Sequence, residues 1–323
     1  MSNKLLTIGS VAYDSIQTPF GKINKTLGGS ASYFSLAARF FTRPSLIAVV
    51  GEDFKKADIT LFKKQKIDIS GLQKAKGKTF HWAGKYHFDL NTRDTLKTEL
   101  GVFEKFAPEL SKDHRNSDYI FLGNIHPRLQ LSVLNQIKSA SRRTKLVGLD
   151  TMNFWIEKAL PDLKAVMKKI DLLVINEGEA RQLSGEYNLS KAAKKILKMM
   201  PPKGRGVPSA AEGTPPPVLI IKQGEYGLLM FQNGKIFNLP GYPLENVIDP
   251  TGAGDSFAGG LMGYLSASDN LSWDNLKKAC VYGSAMASFC VEELGVKRLL
   301  NIKEKEISQR LKAFKKLTHF EHR

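Results

Sequence analysis

The sequence predicts an α/β fold in which helices flank a central, mostly parallel sheet and a small antiparallel sheet is attached. Short β-type runs alternate with helical patterns through most of the 323 residues, which is typical of βαβ units. One segment, residues 79–90, breaks this rhythm because its apolar residues fall mostly on alternate positions. A chain of this length is sufficient for one large domain with a small attachment.

The individual elements follow from periodicity and from the residues that stop them. Apolar residues at helical spacing over residues 31–41 predict a helix, which Pro44 terminates. Asn233-Gly234 lies between two β-type runs and predicts a hairpin turn. An apolar stripe over residues 307–317 predicts a C-terminal helix, and the Pro- and Gly-rich residues 201–217 predict a long surface loop. The predicted strands are residues 5–8, 46–50, 119–122, 146–149, 172–175, 218–221, 228–232 and 235–238.

The alternating segment predicts a small antiparallel β lid. Polar residues stand between most of its apolar positions, as in a strand with one buried face. We expect residues 75–103 and residues 12–27 to form this lid over the edge of the large sheet. The apolar positions are Phe80, Trp82, Tyr86, Phe88 and Leu90.

The composition indicates a globular protein. Hydrophobic residues make up 42% of the chain and charged residues 24%, and no apolar run is long enough to cross a bilayer. The first residues lead into a strand rather than into a secretory signal. Cys280 and Cys290 show no metal-ligand spacing, so we expect buried thiols in a reducing cytoplasm.

The net charge of +17 raises the question of a nucleic-acid partner. The lysines are spread along the predicted helices, and few aromatic residues stand between them. We therefore interpret them as solvated helix faces and expect neither a nucleic acid nor a membrane as partner. A nucleic-acid-binding protein is the alternative, and steeply salt-dependent binding would reveal it.

The run Asp249-Pro250-Thr251-Gly252-Ala253-Gly254-Asp255 carries the clearest chemical signal. It stands at a predicted helix start, where glycines leave backbone N–H groups uncovered and able to bind a phosphate. Asp255 is a poor phosphate ligand, since like charges repel. A carboxylate at this place is suited to take a proton from a hydroxyl group that attacks phosphorus. An ordinary glycine-rich helix cap would explain neither Asp255 nor the small residues Ala258-Gly259-Gly260 that follow.

This run closely resembles the second signature of the ribokinase-like (PfkB-type) family of small-molecule kinases. The resemblance extends from about Leu5 to Arg298 and implies that residues 1–323 form one kinase domain of the ribokinase-like fold. It further implies phosphorylation of an alcohol by ATP with Mg²⁺, with Asp255 as the base. Backbone N–H groups of Gly252, Ala253 and Gly254 would form the anion hole.

The resemblance also implies a substrate site near the start of the chain. Asp14 follows the first predicted strand, and a carboxylate there can accept hydrogen bonds from a diol, although a turn aspartate is as good an interpretation from the residues alone. Gly28, Gly29 and Ser30 would contact substrate hydroxyl groups. Two positions depart from the family pattern, because Ala12 and Tyr33 stand where many sugar kinases have asparagine.

A nucleotide site is implied by shorter elements. Asn176 and Glu179 match an Asn-x-x-Glu element that would place Mg²⁺, with Glu179 acting through water, although from the residues alone acidic residues that favour a helix start are the better interpretation. The remaining residues that we expect near the nucleotide are Lys222, Gly224, Gly227, Thr251, Ser284 and Ser288.

The acceptor and the assembly are left with alternatives. We expect a sugar as acceptor, with a nucleoside as the close alternative because the aromatic lid could stack on a base. A nucleotide-binding regulator without catalysis is a third hypothesis, which the intact Asp255 disfavours. An exposed strand edge in the lid could pair with a second copy and give a homodimer.

Overall fold

The computed structural model describes residues 3–138, 144–201 and 216–318. The strands are β1 Leu5–Ile8, β2 Ala12–Thr18, β3 Gly21–Gly28, β4 Pro44–Val50, β5 Asp68–Lys74, β6 His81–Tyr86, β7 Arg93–Glu99, β8 Tyr119–Leu122, β9 Leu146–Asp150, β10 Leu172–Asn176, β11 Val218–Lys222, β12 Leu228–Gln232 and β13 Lys235–Leu239. The helices are α1 Ser30–Ala38, α2 Lys56–Lys64, α3 Lys112–Arg115, α4 Pro127–Lys138, α5 Asn153–Lys158, α6 Leu160–Met167, α7 Glu177–Ser184, α8 Leu189–Lys198, α9 Ala253–Ser268, α10 Trp273–Cys290, α11 Lys297–Asn301 and α12 Glu304–Thr318. Most of the predicted loop 201–217 lies outside the described residues.

The large sheet has the strand order β13-β12-β11-β10-β9-β8-β1-β4-β5. Its strands from β11 to β5 run parallel, and β12 and β13 complete it as an antiparallel hairpin. Asn233 and Gly234 both have positive φ, at 47° and 77°, as a type I′ turn requires. The predictions of a mostly parallel sheet and of this hairpin are therefore confirmed.

Helices cover both faces of the large sheet. One core lies between the sheet and α4, α6, α7 and α8, and a second lies between the sheet and α1, α9 and α10. Helix α9 packs closely because Gly259 and Gly260 leave no side chain in the way. A Cβ at Gly259 would lie 2.2 Å from the Phe34 carbonyl oxygen. The small residues after Asp255 thus bring this helix, and the loop before it, against its neighbours.

The small sheet has the order β3-β2-β6-β7 and is built from two antiparallel hairpins. Strands β2 and β6 join the hairpins in parallel, which periodicity alone did not predict. These strands occupy residues 12–28 and 81–99. We keep the name lid for this small sheet, and its role over the large sheet stays a prediction.

Two predicted boundaries are wrong. Helix α1 ends at Ala38 because the chain turns there, with the Phe41 and Thr42 N–H groups bonded to the Ala38 carbonyl, and Pro44 then starts β4. The alternating segment stops being a strand at Tyr86. Phe88, which the alternation placed on a buried face, lies in a turn with 82% of its surface exposed.

Candidate active site

The site is built around the first turn of α9. Gly252 caps this helix with φ at 76°, a left-handed conformation that favours glycine. The first N–H groups of a helix have no intrahelical partner and carry partial positive charge. The Ala253 N–H is an exception, since it bonds to the Pro250 carbonyl at 3.2 Å. The predicted anion hole therefore has one of its three donors already engaged in the turn.

Asp249 fixes the loop before α9. It is fully buried, and its two carboxylate oxygens accept hydrogen bonds from the Thr251 N–H at 2.9 Å and the Gly295 N–H at 2.8 Å. The loop is thereby tied to the segment that follows α10. Sequence analysis assigned no role to this carboxylate, and the structure gives it a positioning one.

Lys222, at the end of β11, lies against the same helix start. A Cβ at Gly254 would be only 2.7 Å from the Lys222 Nζ, so the glycine makes room for the ammonium group. The lysine charge and the positive helix end are thus placed together. The ammonium group and the positive helix end repel each other, so negative charge must lie close by.

Three carboxylates supply that negative charge. Asp150, Glu179 and Asp255 all attract the Lys222 ammonium group, and this attraction outweighs burial and raises the pKa of Lys222. Burial, assisted by repulsion from Asp150, raises the pKa of both Asp255 and Glu179 to about 7. Burial also raises the pKa of Asp150. Asp255 is therefore poised to gain or lose a proton near neutral pH.

The Asn-x-x-Glu element forms the start of α7. The Asn176 side chain accepts a hydrogen bond from the Glu179 N–H, and the Glu179 carboxylate accepts one from the Asn176 N–H, both at 2.8 Å. This reciprocal pair is a capping box. Asn176 is exposed, whereas Glu179 is buried beside Lys222. The pattern thus has a structural role as well as a place in the charged cluster.

A second group of predicted residues surrounds Asp14 on β2. A Cβ at Gly28 would lie 2.0 Å from the Asp14 Oδ2, so only glycine leaves space for the carboxylate. The Gly29 N–H donates a hydrogen bond to Asp14, but burial dominates and raises its pKa to about 7. Gly29 itself has φ at 89°. These glycines therefore shape the environment of one buried carboxylate.

Ser30 and Ser288 are occupied by contacts inside the protein. The Ser30 side chain bonds to Ser10, accepting its N–H at 3.1 Å. Ser288 donates to the Ala285 carbonyl at 2.8 Å and accepts from the Arg310 guanidinium at 3.0 Å. Both serines are buried, and their hydroxyl groups already have partners inside the protein. These contacts give no support to the predicted ligand contacts.

The remaining predicted nucleotide residues lie in two places. Gly224 and Gly227 flank a short 3₁₀ turn after β11, with φ at 59° and 97°. A Cβ at Gly227 would lie 2.0 Å from the Leu239 carbonyl oxygen, so close backbone approach requires this glycine. Ser284 is half-buried on α10.

The lid contacts the loops around the site. The Thr251 hydroxyl donates to the Tyr86 hydroxyl at 3.2 Å, and the Asn91 amide donates to Glu225 at 3.2 Å. Arg93 on β7 lies close enough to attract Asp14 and Asp255, and this attraction offsets part of the rise in the pKa of each that burial causes. Sequence analysis missed Arg93 because nothing in the lid pattern distinguishes it. Asp150 does have a sequence signal, because it directly follows the predicted strand 146–149 at the same edge of the sheet.

The residues present fit a bound Mg²⁺-nucleotide. The positive charge where Lys222 meets the α9 N-terminus at Gly254 can bind negatively charged phosphate oxygens. Asp150 and Glu179 lie next to it and offer the oxygen ligands that Mg²⁺ prefers, directly or through water. Over the described ranges, no cluster of three or more His, Cys, Asp and Glu side chains could hold a metal ion by itself. In the same ranges, no helix is long and apolar enough to cross a membrane.

Comparison with known proteins identifies a family and several relatives. Residues 2–303 match the pfkB family of carbohydrate kinases. The chain is 28% identical over 268 residues to the cytidine kinase of Thermococcus kodakarensis, covering 80% of this chain and 88% of the relative. It is 28% identical over 334 residues to the ribokinase of Staphylococcus aureus, covering 96% and 100%. Its fold matches an E. coli protein assigned as ribokinase II and crystallised with ATP and Mg²⁺, with a TM-score of 0.75, 17% identity and coverage of 96% and 99%.

The pKa of Asp255 leads to a prediction about stability. Because folding raises this pKa from 3.8 to about 7, the folded protein binds the proton more tightly than the unfolded chain. The ionised carboxylate therefore costs stability at and above pH 7, and the cost disappears below pH 3.8. We expect Asp255→Asn to melt at a higher temperature than the wild type at pH 8, with the difference shrinking as the pH falls to 4.

The control for this prediction is Asp274→Asn. Asp274 is exposed, and its hydrogen bond to Lys277 lowers its pKa, so its replacement should give a small effect of opposite sign. Thermal unfolding of the three proteins across this pH range makes the comparison. An Asp255→Asn protein that loses stability as the pH rises from 4 to 8, relative to the wild type, would contradict the assignment.

Proposed function

The chain belongs to the pfkB family of carbohydrate kinases, and we propose that the acceptor of this ATP- and Mg²⁺-dependent kinase is a hydroxyl group of a nucleoside. The observation that carries the proposed reaction site is the position of Asp255 beside Lys222 at the N-terminus of α9. A base, a cation and free backbone donors meet there. These are the groups that phosphoryl transfer to an alcohol requires.

Asp255 acts as the base in this proposal. MgATP, when bound, supplies the phosphoryl group that is transferred. Asp255 takes the proton of the acceptor hydroxyl, and its pKa of about 7 leaves a large ionised fraction at neutral pH. Lys222 and the N–H groups at the start of α9 stabilise negative charge beside the base. Because Asp249 fixes the loop, these donors are in place before the reaction.

The nucleotide and its metal lie on the Lys222 side of the site. Glu179 and Asp150 would hold hydrated Mg²⁺, with Asn176 positioned by the same capping box. Gly224 and Gly227 would form the loop over the nucleotide. The proposed contacts of Thr251, Ser284 and Ser288 with the nucleotide stay predictions.

The acceptor lies on the Asp14 side. Asp14 and Trp82 are register partners on the parallel strands β2 and β6, so their side chains share one face of the lid. Tyr86, two pleats from Trp82, bonds to Thr251 and thereby identifies that face as the one toward the catalytic loop. Asp14 would accept hydrogen bonds from acceptor hydroxyl groups, and Gly28 leaves room for its carboxylate.

Trp82 favours a nucleoside over a free sugar. A Cβ at Gly84 would lie 2.1 Å from the indole Cη2, so the glycine allows the ring to lie flat along β6. A flat indole on the site face is suited to stack against a base. The names of the relatives, a cytidine kinase among them, support the same class. A free sugar is the second candidate, which the similarity to a ribokinase supports.

The test is ADP release from MgATP with a panel of nucleosides, free sugars and sugar phosphates. We expect turnover with one nucleoside class and a fall of at least about 10³-fold in kcat for Asp255→Asn, because the base is lost. Below pH 7 the wild-type rate should fall about tenfold per pH unit as Asp255 becomes protonated. Asp274→Asn, on the surface of α10, is the control and should retain the wild-type rate.

The panel separates the alternatives. Exclusive turnover of free sugars would contradict the nucleoside assignment and leave the catalytic assignment intact. Near-normal turnover in Asp255→Asn would contradict the catalytic assignment. ATP binding without turnover of any acceptor would favour a regulatory protein.

The lid also supports a homodimer. Phe20 and Phe88 lie at the tips of the two lid hairpins with ring centroids 6.4 Å apart, and both are largely exposed. Leu96 on the edge strand β7 is 60% exposed. Exposed apolar groups beside an unpaired strand edge favour pairing with a second copy. The buried free thiols Cys280 and Cys290 are consistent with the reducing compartment, the cytoplasm, that we propose for this kinase.

Sedimentation velocity tests the dimer. We expect a dimer for the wild-type protein and a monomer for Leu96→Lys, which places a charge on the proposed interface. Leu317→Lys, on the exposed end of α12 and outside the lid strands, is the matched control and should remain dimeric. A wild-type monomer at micromolar concentration would contradict the proposal.

A further inference from the structure

Tyr33 carries a buried hydroxyl group without a partner. It lies in the first turn of α1, only 1% exposed. Within the described residues, no hydrogen bond reaches its hydroxyl oxygen. Folded proteins rarely leave such a group unpaired, because removing it from water without a partner is costly.

The surroundings of this hydroxyl belong to the site. The Tyr33 ring packs on the glycine that caps α9, since a Cβ at Gly252 would lie 2.2 to 2.4 Å from three ring carbons. After burial, the charges that raise the pKa of Tyr33 most are those of Asp14 and Asp249, and Tyr86 contributes as well. Tyr33 therefore stays neutral at physiological pH. Its hydroxyl can both donate and accept.

We propose that Tyr33 is a specificity-determining residue that hydrogen-bonds a hydroxyl group of the acceptor beside Asp14. The carboxylate of Asp14 can only accept hydrogen bonds when ionised, whereas the phenol can also donate one. The two side chains together can therefore recognise a pair of neighbouring hydroxyl groups. This inference deepens the proposed function and rests on it.

The ring adds a second constraint. Because it contacts Gly252 directly, Tyr33 lies between the Asp14 side of the site and the loop that carries Asp255. The ring therefore sets the distance between that loop and an acceptor bonded to the phenol. Tyr33 thus positions the acceptor as well as selecting it.

Tyr33→Phe removes only the hydroxyl group and keeps the ring against Gly252. We expect kcat/KM for the acceptor to fall about 10- to 100-fold, with the KM for ATP unchanged. Without acceptor, the variant should melt at or above the wild-type temperature, since no hydrogen bond is lost. Tyr119→Phe is the matched control because the buried Tyr119 donates to Asp269 at 2.9 Å, at the C-terminal end of α9 and therefore at the opposite end of that helix from the site. It should melt lower and keep wild-type kinetics.

Deoxynucleosides identify the hydroxyl group that Tyr33 contacts. If Tyr33 bonds to the 2′- or 3′-hydroxyl group, the nucleoside that lacks this hydroxyl should slow the wild-type enzyme much more than it slows the Tyr33→Phe variant. The variant has already lost that bond. An acceptor kcat/KM within twofold of the wild type in Tyr33→Phe would overturn the inference. Equal losses of kcat/KM toward acceptor and ATP, together with a lower melting temperature, would also overturn the inference, because they indicate a structural role.

Failure of the inference and failure of the proposed function give different results. Wild-type turnover of nucleosides with unaltered Tyr33→Phe kinetics contradicts the inference alone. A wild-type protein that turns over only free sugars contradicts the nucleoside assignment, and the Tyr33→Phe comparison is then made with that sugar and its deoxy analogues. A wild-type protein that neither turns over nor is thermally stabilised by any acceptor contradicts both.

Discussion

The site depends on keeping a partly buried ammonium group at the positive end of a helix. Lys222 lies against the start of α9, where its charge adds to that of the helix dipole. Asp150, Glu179 and Asp255 compensate for this charge, and the shared burial brings the pKa of Asp255 to about 7. The three carboxylates outnumber the ammonium group, so a polyphosphate would be accepted here only together with its Mg²⁺. The charge arrangement that the fold must tolerate is thus the one that phosphoryl transfer uses.

The acceptor side follows from a different constraint, the space around Asp14. Gly28 makes room for its carboxylate, and Tyr33 closes the pocket against the loop that Asp249 holds. The lid carries Asp14 on β2 and is anchored by Tyr86 on that loop. Both halves of the site therefore meet at the residues before α9. A change in that loop should affect acceptor and nucleotide together.

Much of this could be predicted from the sequence, because parallel strands and helix starts have local signals. The strand ends at residues 146–149, 172–175 and 218–221 were predicted within one residue, and they place Asp150, Asn176 and Lys222 at one edge of the sheet. Contacts between distant segments have no such signal. The bond that engages Ser288 with Arg310, and the approach of Arg93 to the carboxylates, depend on how helices and lid pack. The parallel pairing inside the lid could not be predicted for the same reason.

Lys222 keeps the pKa of the base Asp255 from rising further, and the pH dependence of kcat in Lys222→Met measures this effect. Removing the ammonium group leaves Asp255 with burial and its like-charged neighbours, so its pKa should rise. The account predicts that the acidic limb of the profile moves to higher pH than in the wild type. Lys194→Met, an exposed lysine on α8, should leave the profile unchanged. An acidic limb at the wild-type position in Lys222→Met would contradict the account.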